Sequence, residues 1–235
     1  MVSNGKTLAC ASQPQKSNTK ERHLSSLIRL TALFLTGFLL CGCAVQSIEF
    51  LEDGDFGETI MIQIEMENGG IIKIALDRAA APLTVANFEK LVKSGFYDGL
   101  CFHRVIRGFM IQGGCPLGNG MGGADENIKG EFAQNGVQNP LRHTRGVISM
   151  ARAYDPNSAS SQFFIMHEDA PHLDGAYAAF GKVIDGMDTV DAIAATRTGR
   201  NDRPIEEQKI ASITVDTHGE TYPAPNKLPD PYGRF

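Results

Sequence analysis

An alternation of apolar and polar residues marks where the folded part of the chain begins. Apolar residues occupy every second position from Ile60 to Met66, and a second apolar run, Ile71–Leu76, follows an Asn-Gly-Gly turn at residues 68–70. A period of two is typical of a strand that buries one face, and Asn-Gly-Gly favours a tight turn. The pattern therefore predicts a β-hairpin over residues 60–76.

Two later segments have the spacing of amphipathic helices. The first starts at Pro82, which suits an initial helical turn, has apolar residues at positions 85, 88, 91 and 92, and reaches a natural stop at Gly95. The second covers residues 187–195. The pattern therefore predicts only two helices.

Six further short strands follow the first predicted helix, and they surround a glycine-rich loop at residues 113–130. Many short strands with two helices favour a mainly β fold, a closed antiparallel barrel whose open ends the helices cover. Residues 218–235 contain four prolines and few apolar residues, so we expect a flexible C-terminal tail. The six strands are predicted at residues 102–105, 109–112, 147–150, 162–167, 178–184 and 210–215.

The N-terminal segment has the pattern of an export signal. An apolar run of 13 residues, 30–42, follows Arg29 and is too short to cross a bilayer, which needs about 20. The run ends in Leu-Cys-Gly-Cys, which resembles the lipobox of bacterial lipoproteins. That resemblance implies a lipoprotein signal peptide over residues 1–42, lipid on Cys43, and a linker at 43–58. The alternative is an uncleaved signal anchor over residues 24–45. Both place the folded domain outside the cytoplasm, the first anchored to a bacterial membrane.

Composition narrows the class of protein. The chain has 42% apolar residues, which excludes disorder throughout, and a formal net charge of −5, which argues against a nucleic-acid partner. Of its five cysteines only Cys101 and Cys115 would remain as possible disulfide partners after cleavage, because Cys43 would carry lipid, and the two form no Cys-x-x-Cys pair. We expect two free, largely buried thiols and no zinc site.

Two common motifs were considered, and neither indicates a cofactor site or a catalytic nucleophile. Residues 118–123 fit a Gly-x-Gly-x-x-Gly pattern, but the polar segment after them cannot form the helix that a nucleotide site needs. The six histidines accompany no Gly-x-Ser-x-Gly motif, which disfavours a nucleophilic triad. The sequence therefore predicts neither a cofactor nor a metal.

Three segments, residues 102–114, 161–166 and 172–181, carry the candidate chemistry as a set. They offer a guanidinium, two side-chain amides and several large apolar side chains, but no nucleophile and no matched acid–base pair. Such a site binds and polarises a substrate without bonding to it. The residues are Arg104, Gln112, Gln162, Phe109, Met110, Phe164 and Leu173.

These segments, in order and spacing, resemble the cyclophilin family of peptidyl-prolyl isomerases, and we assign residues 59–217 to such a domain. The resemblance implies an eight-stranded antiparallel barrel capped by two helices. It implies Arg104 and Gln112 as catalytic residues. The substrate-binding residues that it implies are Phe109, Met110, Gly120, Ala151, Arg152, Ala153, Gln162, Phe164, His172, Leu173 and Tyr177.

Four positions depart from the family pattern. Arg152 stands where asparagine is frequent, His172 where tryptophan is frequent, Tyr177 where histidine is frequent, and Arg107 where proline is common. The resemblance implies that backbone groups hold the substrate at position 152, so the exchange of asparagine for Arg152 should have little effect on substrate binding. The smaller ring at His172 predicts weaker binding of the inhibitor cyclosporin.

The sequence thus predicts a peptidyl-prolyl cis-trans isomerase that assists the folding of exported proteins. Its partners would be proline-containing peptides and unfolded proteins, with a membrane reached through the N-terminal lipid, and we expect a monomer. The alternative is a chaperone or scaffold that binds proline segments with little catalysis. Arg104 distinguishes the two, because a pure binder needs no transition-state donor.

Overall fold

The computed structural model describes residues 60–217 and residues 227–228. The predicted signal peptide and linker, with Cys43, lie outside the described residues, as does most of the predicted tail. Among the described residues no helix is both long and apolar enough to cross a membrane. The same residues contain no cluster of three or more His, Cys, Asp or Glu side chains that could hold a metal ion.

Eight strands form one antiparallel sheet. They are β1 Ile60–Met66, β2 Ile71–Leu76, β3 Arg104–Ile106, β4 Met110–Gly113, β6 Val147–Met150, β7 Phe163–Met166, β8 Ala179–Asp185 and β9 Ile210–Asp216. Their order across the sheet is β3-β4-β7-β6-β8-β2-β1-β9. The first and last of these strands in the chain are therefore neighbours, with Met61 opposite Asp216.

Two α-helices and a second, two-stranded sheet complete the fold. The helices are α1, Pro82–Lys93, and α2, Met187–Ala194. The small sheet pairs β5, Asn127–Ile128, with β10, Lys227–Leu228, so at these two positions the predicted tail is a paired strand. Three 3-10 turns lie at Ala133–Asn135, Pro171–Leu173 and Arg200–Asp202. The mainly β fold with two helices is confirmed.

The prediction of a closed barrel is wrong, because the sheet is an open half-barrel with β3 and β9 at its edges. The segment before β3 does approach β9, through an isolated bridge between Cys101 and Lys209 and a bond from the Phe102 N–H to the Gln208 carbonyl, 2.9 Å. β3 itself is only three residues long and turns away toward β4. No ladder among the described residues therefore joins the two edges.

An aromatic cluster fills the core between the sheet and α1. The Phe88 ring of α1 lies 5.0 Å from Tyr97, 5.4 Å from Phe163 and 5.2 Å from Phe180, measured between ring centroids. All four side chains are fully buried. Aromatic contacts of this geometry add to the gain from burial alone. The helix is thus fixed on the strands that carry the site.

A remote carboxylate caps α1. Ala81, at the N-cap position, has no side chain that can accept a hydrogen bond. Instead the Glu131 carboxylate accepts the Leu83 N–H at 3.0 Å, the Thr84 N–H at 2.8 Å and the Thr84 hydroxyl at 2.7 Å, and it is 3% exposed. Free N–H groups at a helix start favour such an anion.

Candidate active site

Arg104 and Gln112 face each other on the β3–β4 hairpin. The turn lies at Arg107–Gly108, as the sequence predicts, and Gly108 has φ +78°, which favours glycine. The resulting register pairs Arg104 with Gln112. The guanidinium Nη1 lies 3.4 Å from Gln112 Oε1, so the amide oxygen orients one edge of the guanidinium.

A chain of amide hydrogen bonds continues from Gln112 into the glycine-rich loop. Gln112 Nε2 donates to Gln162 Oε1 at 2.9 Å, and Gln162 Nε2 donates to the carbonyls of Gly120 at 2.9 Å and Gly122 at 2.6 Å. The Ala151 N–H donates to the Gln162 carbonyl at 2.9 Å. Arg104, the two glutamines and both groove walls are therefore one connected network.

An apolar patch adjoins Arg104 on the next strands. Met110, Phe164 and Leu173 are buried in one cluster, and the half-buried side chains of Phe109 and Tyr177 pack against it. Strand pairing sets Phe164 opposite Gln112, so the patch is continuous with the polar network. His172 is exposed, and its ring stacks on Phe109 with centroids 5.7 Å apart.

A groove of about 140 Å³ lies on the other side of the amide network. One of its walls is held by Arg152, whose guanidinium donates to the carbonyls of Ala176 at 3.0 Å and Ala153 at 2.9 Å. The same guanidinium lies 4.7 Å from the Tyr177 ring centroid, a cation–π contact. The groove is lined by Gln112, Gly120–Ala124, Ala151, Arg152, Ala153, Ser158, Ser160 and Gln162.

The structure thus brings every residue predicted for the site into one continuous surface, and the role of each stays a prediction. It also identifies supporting residues that the sequence reasoning missed. His143 is 1% exposed and lies behind the apolar patch, with Nδ1 3.1 Å from Asp174 and Nε2 3.0 Å from the Ser149 hydroxyl. Its ring stacks on Phe164 at 6.0 Å. Burial lowers the pKa of His143 despite the nearby Asp174 carboxylate, so the ring is neutral around pH 7.

Asp202 is a second residue that was missed. Its carboxylate Oδ2 lies 3.4 Å from Arg104 Nε. Asp202 and the preceding Asn201 both have positive φ, 57° and 60°, which is unusual for residues other than glycine. No sequence pattern links residue 202 to residue 104, since the strained turn alone brings them together.

Cys115 organises the glycine-rich loop. Its buried sulfur accepts the Gly120 N–H at 3.2 Å and the Gly122 N–H at 3.3 Å. Both cysteines are free thiols, and Cys101 is half-buried rather than largely buried. Burial raises the pKa of Cys115, but the loop N–H groups outweigh burial and lower it overall.

The two thiols are expected to have opposite effects on stability as the pH rises. The lowered pKa of Cys115 gives the thiolate a stabilising contribution that is present above the unfolded-state pKa and lost as the pH falls through the folded-state value. The difference in the free energy of unfolding between the unmodified protein and Cys115→Ser should therefore grow from about pH 7 to about pH 9. Denaturant unfolding across this range measures it.

Cys101→Ser is the matched control. Burial raises the pKa of Cys101, so its thiol contributes stability that is lost as the pH rises. The free energy of unfolding of Cys101→Ser, relative to that of the unmodified protein, should therefore increase over the same pH range. Parallel stability curves for all three proteins would contradict both assignments.

The arrangement offers hydrogen-bond donors beside an apolar patch and a polar groove, and no pair of a nucleophile and a base within that surface. Three comparisons agree on what it resembles. The family model described as cyclophilin type peptidyl-prolyl cis-trans isomerase/CLD matches residues 61–215.

Two relatives illustrate the similarity in sequence. Peptidyl-prolyl cis-trans isomerase B of Bacillus subtilis is 52% identical over 123 residues, which cover 52% of this chain and 82% of the relative. Peptidyl-prolyl cis-trans isomerase CYP18-1 of Arabidopsis thaliana is 44% identical over 149 residues, 63% of this chain and 91% of the relative.

The fold is similar to that of solved structures. A cyclophilin type peptidyl-prolyl cis-trans isomerase of Cryptosporidium parvum matches with a TM-score of 0.61 and 34% identity, over 67% of this chain and 98% of that one. The same protein solved in the presence of the dipeptide Ala-Pro also matches with a TM-score of 0.61.

Proposed function

Because this chain belongs to the cyclophilin-type peptidyl-prolyl cis-trans isomerases and is therefore an enzyme, we propose that it isomerises X–Pro bonds of exported proteins as they fold outside the cytoplasm. The observation that carries the assignment of its site is the Arg104 guanidinium, which Gln112 orients beside the apolar patch. A hydrogen-bond donor beside apolar side chains supports the proposal that a proline ring binds here.

Arg104 lowers the rotational barrier by acting on the prolyl nitrogen. The X–Pro amide has partial double-bond character, and its rotation has a barrier of about 20 kcal/mol and takes tens of seconds without a catalyst. In the twisted transition state the nitrogen lone pair leaves resonance and becomes a hydrogen-bond acceptor. Arg104 donates to it there and not in the planar ground state, so the bond raises the rate and not only the affinity.

The neighbouring residues position the bond for this contact. Phe109, Met110, Phe164 and Leu173 bind the proline ring, while Gln112 holds the carbonyl side. Holding one side of the bond while the other rotates restricts the motion to one path. The groove beyond Gln162 takes the residues that precede the proline.

The export part of the proposal rests on the N-terminal sequence. An apolar run of 13 residues ends in the lipobox-like Leu40-Cys41-Gly42-Cys43, and the segment before it is basic. Lipid on Cys43 would anchor the domain to a membrane, where newly exported chains emerge and slow X–Pro isomerisation limits their folding.

Exchange of Cys43 for serine tests the anchor. In a bacterial host supplied with a labelled fatty-acid analogue, the full-length protein should carry label in the membrane fraction, and Cys43→Ser should lose it. Cys41→Ser, two residues away in the same apolar segment, is the matched control and should keep the label. Unchanged labelling of Cys43→Ser, or loss in both variants, would contradict the assignment of Cys43.

A further inference from the structure

A second cavity, of about 490 Å³, borders the groove and contains Arg104. The two share a wall made of Gln112, Gly120 and Met121, and the cavity then extends to the strained turn that holds Asp202. Its lining is His103, Arg104, Gln112, Asn119, Gly120, Met121, Arg200, Asn201, Asp202 and Arg203.

The charges of this lining are unbalanced. Three guanidinium groups, those of Arg104, Arg200 and Arg203, face a single carboxylate, Asp202. Asp202 pairs with Arg104, and Arg203 Nη2 lies 3.5 Å from Glu207, which is not part of the lining. Within residues 60–217, Arg200 forms no ion pair. The cavity therefore has an excess of positive charge in a chain whose net charge is negative.

His103 belongs to the lining of the same cavity and adds no charge to it. Its side chain is 5% exposed, and neither ring nitrogen has a hydrogen-bond partner among the described residues. Burial lowers the pKa of His103, and the positive charges of Arg203 and Arg104 lower it further, so the ring is neutral and carries one N–H.

We propose that this cavity binds the carboxylate of an acidic residue that follows the proline, and so selects substrates with Asp or Glu one or two positions after it. The proposal rests on the isomerase site proposed above. The groove lined by Ala151, Arg152 and Ala153 takes the residues before the proline. The proposal therefore assigns the residues after the proline to the adjoining cavity, on the side of Arg104 that carries Arg200 and Arg203. Cationic lining on this path speeds encounter with an acidic segment and stabilises it once bound.

Paired peptides test the proposal on the full chain. Two peptides with one Ala-Pro bond differ only in Glu or Gln at the second position after proline, and kcat/KM is measured for each at low ionic strength. We expect the Glu peptide to be favoured about 3-fold, and this ratio to approach one in high salt. Calorimetric binding of the same peptides tests the cavity separately from turnover.

Charge removal identifies the residues responsible. In Arg200→Gln, and in the double variant Arg200→Gln with Arg203→Gln, the Glu-to-Gln ratio should fall to about one. Lys90→Gln is the matched control, since it removes one exposed positive charge on α1, outside the cavity, and should keep the ratio.

Three results would overturn the proposal: equal kcat/KM and equal affinity for the two peptides in the unmodified protein, a ratio that persists in the double variant, or an equal preference for Glu placed before the proline. If neither peptide is isomerised while calorimetry still shows the preference for Glu, the cavity assignment holds and the proposed function fails.

Discussion

Arg104→Ala should lower kcat/KM for X–Pro isomerisation by at least about 10-fold, equivalent to about 1.4 kcal/mol of transition-state stabilisation. Gln112 orients the guanidinium beside the apolar patch, and the site contains no pair of a nucleophile and a base that could replace it. Because its hydrogen bond to the prolyl nitrogen exists only in the transition state, kcat should fall while peptide affinity changes little. A proline-peptide isomerisation assay measures both.

The chain offers a close control for this experiment. Arg107 lies three residues further along, on the exposed turn of the same hairpin, and lines neither the groove nor the cavity. Arg107→Ala removes the same charge and should retain turnover close to that of the unmodified protein. Folded Arg104→Ala protein with near-normal turnover would refute the mechanism.

Glu131→Ala should lower the free energy of unfolding by about 3 kcal/mol, because it leaves two N–H groups at the start of α1 and the Thr84 hydroxyl without their acceptor. For a domain of this size that is a decrease in melting temperature of about 10 °C. Thermal and denaturant unfolding of the full chain measure it. The aromatic cluster around Phe88 should loosen as the helix start frays.

Two further variants test whether the lost cap causes this decrease in stability. Glu131→Gln keeps one acceptor oxygen but no charge, so its stability should lie between that of the unmodified protein and that of Glu131→Ala. Glu168→Ala removes an exposed carboxylate and should change the stability by less than about 0.5 kcal/mol. Equal stability of Glu131→Ala and Glu168→Ala would contradict the remote capping of α1.

Local patterns in the sequence predicted most of the elements. The alternation at residues 60–76 gave the β1–β2 hairpin, and the helix predicted to start at Pro82 does begin there. The strand predicted at 102–105 was displaced, since β3 covers Arg104–Ile106. The reason for the displacement is a tertiary contact. The Phe102 N–H donates a hydrogen bond to the Gln208 carbonyl, so the residues before Arg104 lie beside the segment that leads into β9 and not in β3. No local pattern carries that information. Closure of the barrel was wrongly predicted because β3 is only three residues long and pairs with β4 alone, so that no ladder joins it to β9.

Some residues of the candidate site could likewise be predicted from local sequence, and others could not. Arg104, Gln112 and Gln162 belong to short segments whose order and spacing resemble a known family, so they could be named from the sequence. Asp202 could not, because a turn with two left-handed residues brings it to Arg104 from far along the chain. His143 was also missed, because its partners Asp174 and Ser149 meet it only in the folded sheet.

The pairing of β1 with β9 has a consequence for how the domain acquires its structure. Met61 finds its partner Asp216 only after nearly the whole domain has been made, so the loop that must close is long and the contact order is high. Folding should therefore be slow and late, with the outer edge of the first hairpin, β1, unpaired until Ile210–Asp216 is available. A chain shortened before Ile210 would keep β1 as an unpaired edge, a template for aggregation rather than a smaller enzyme.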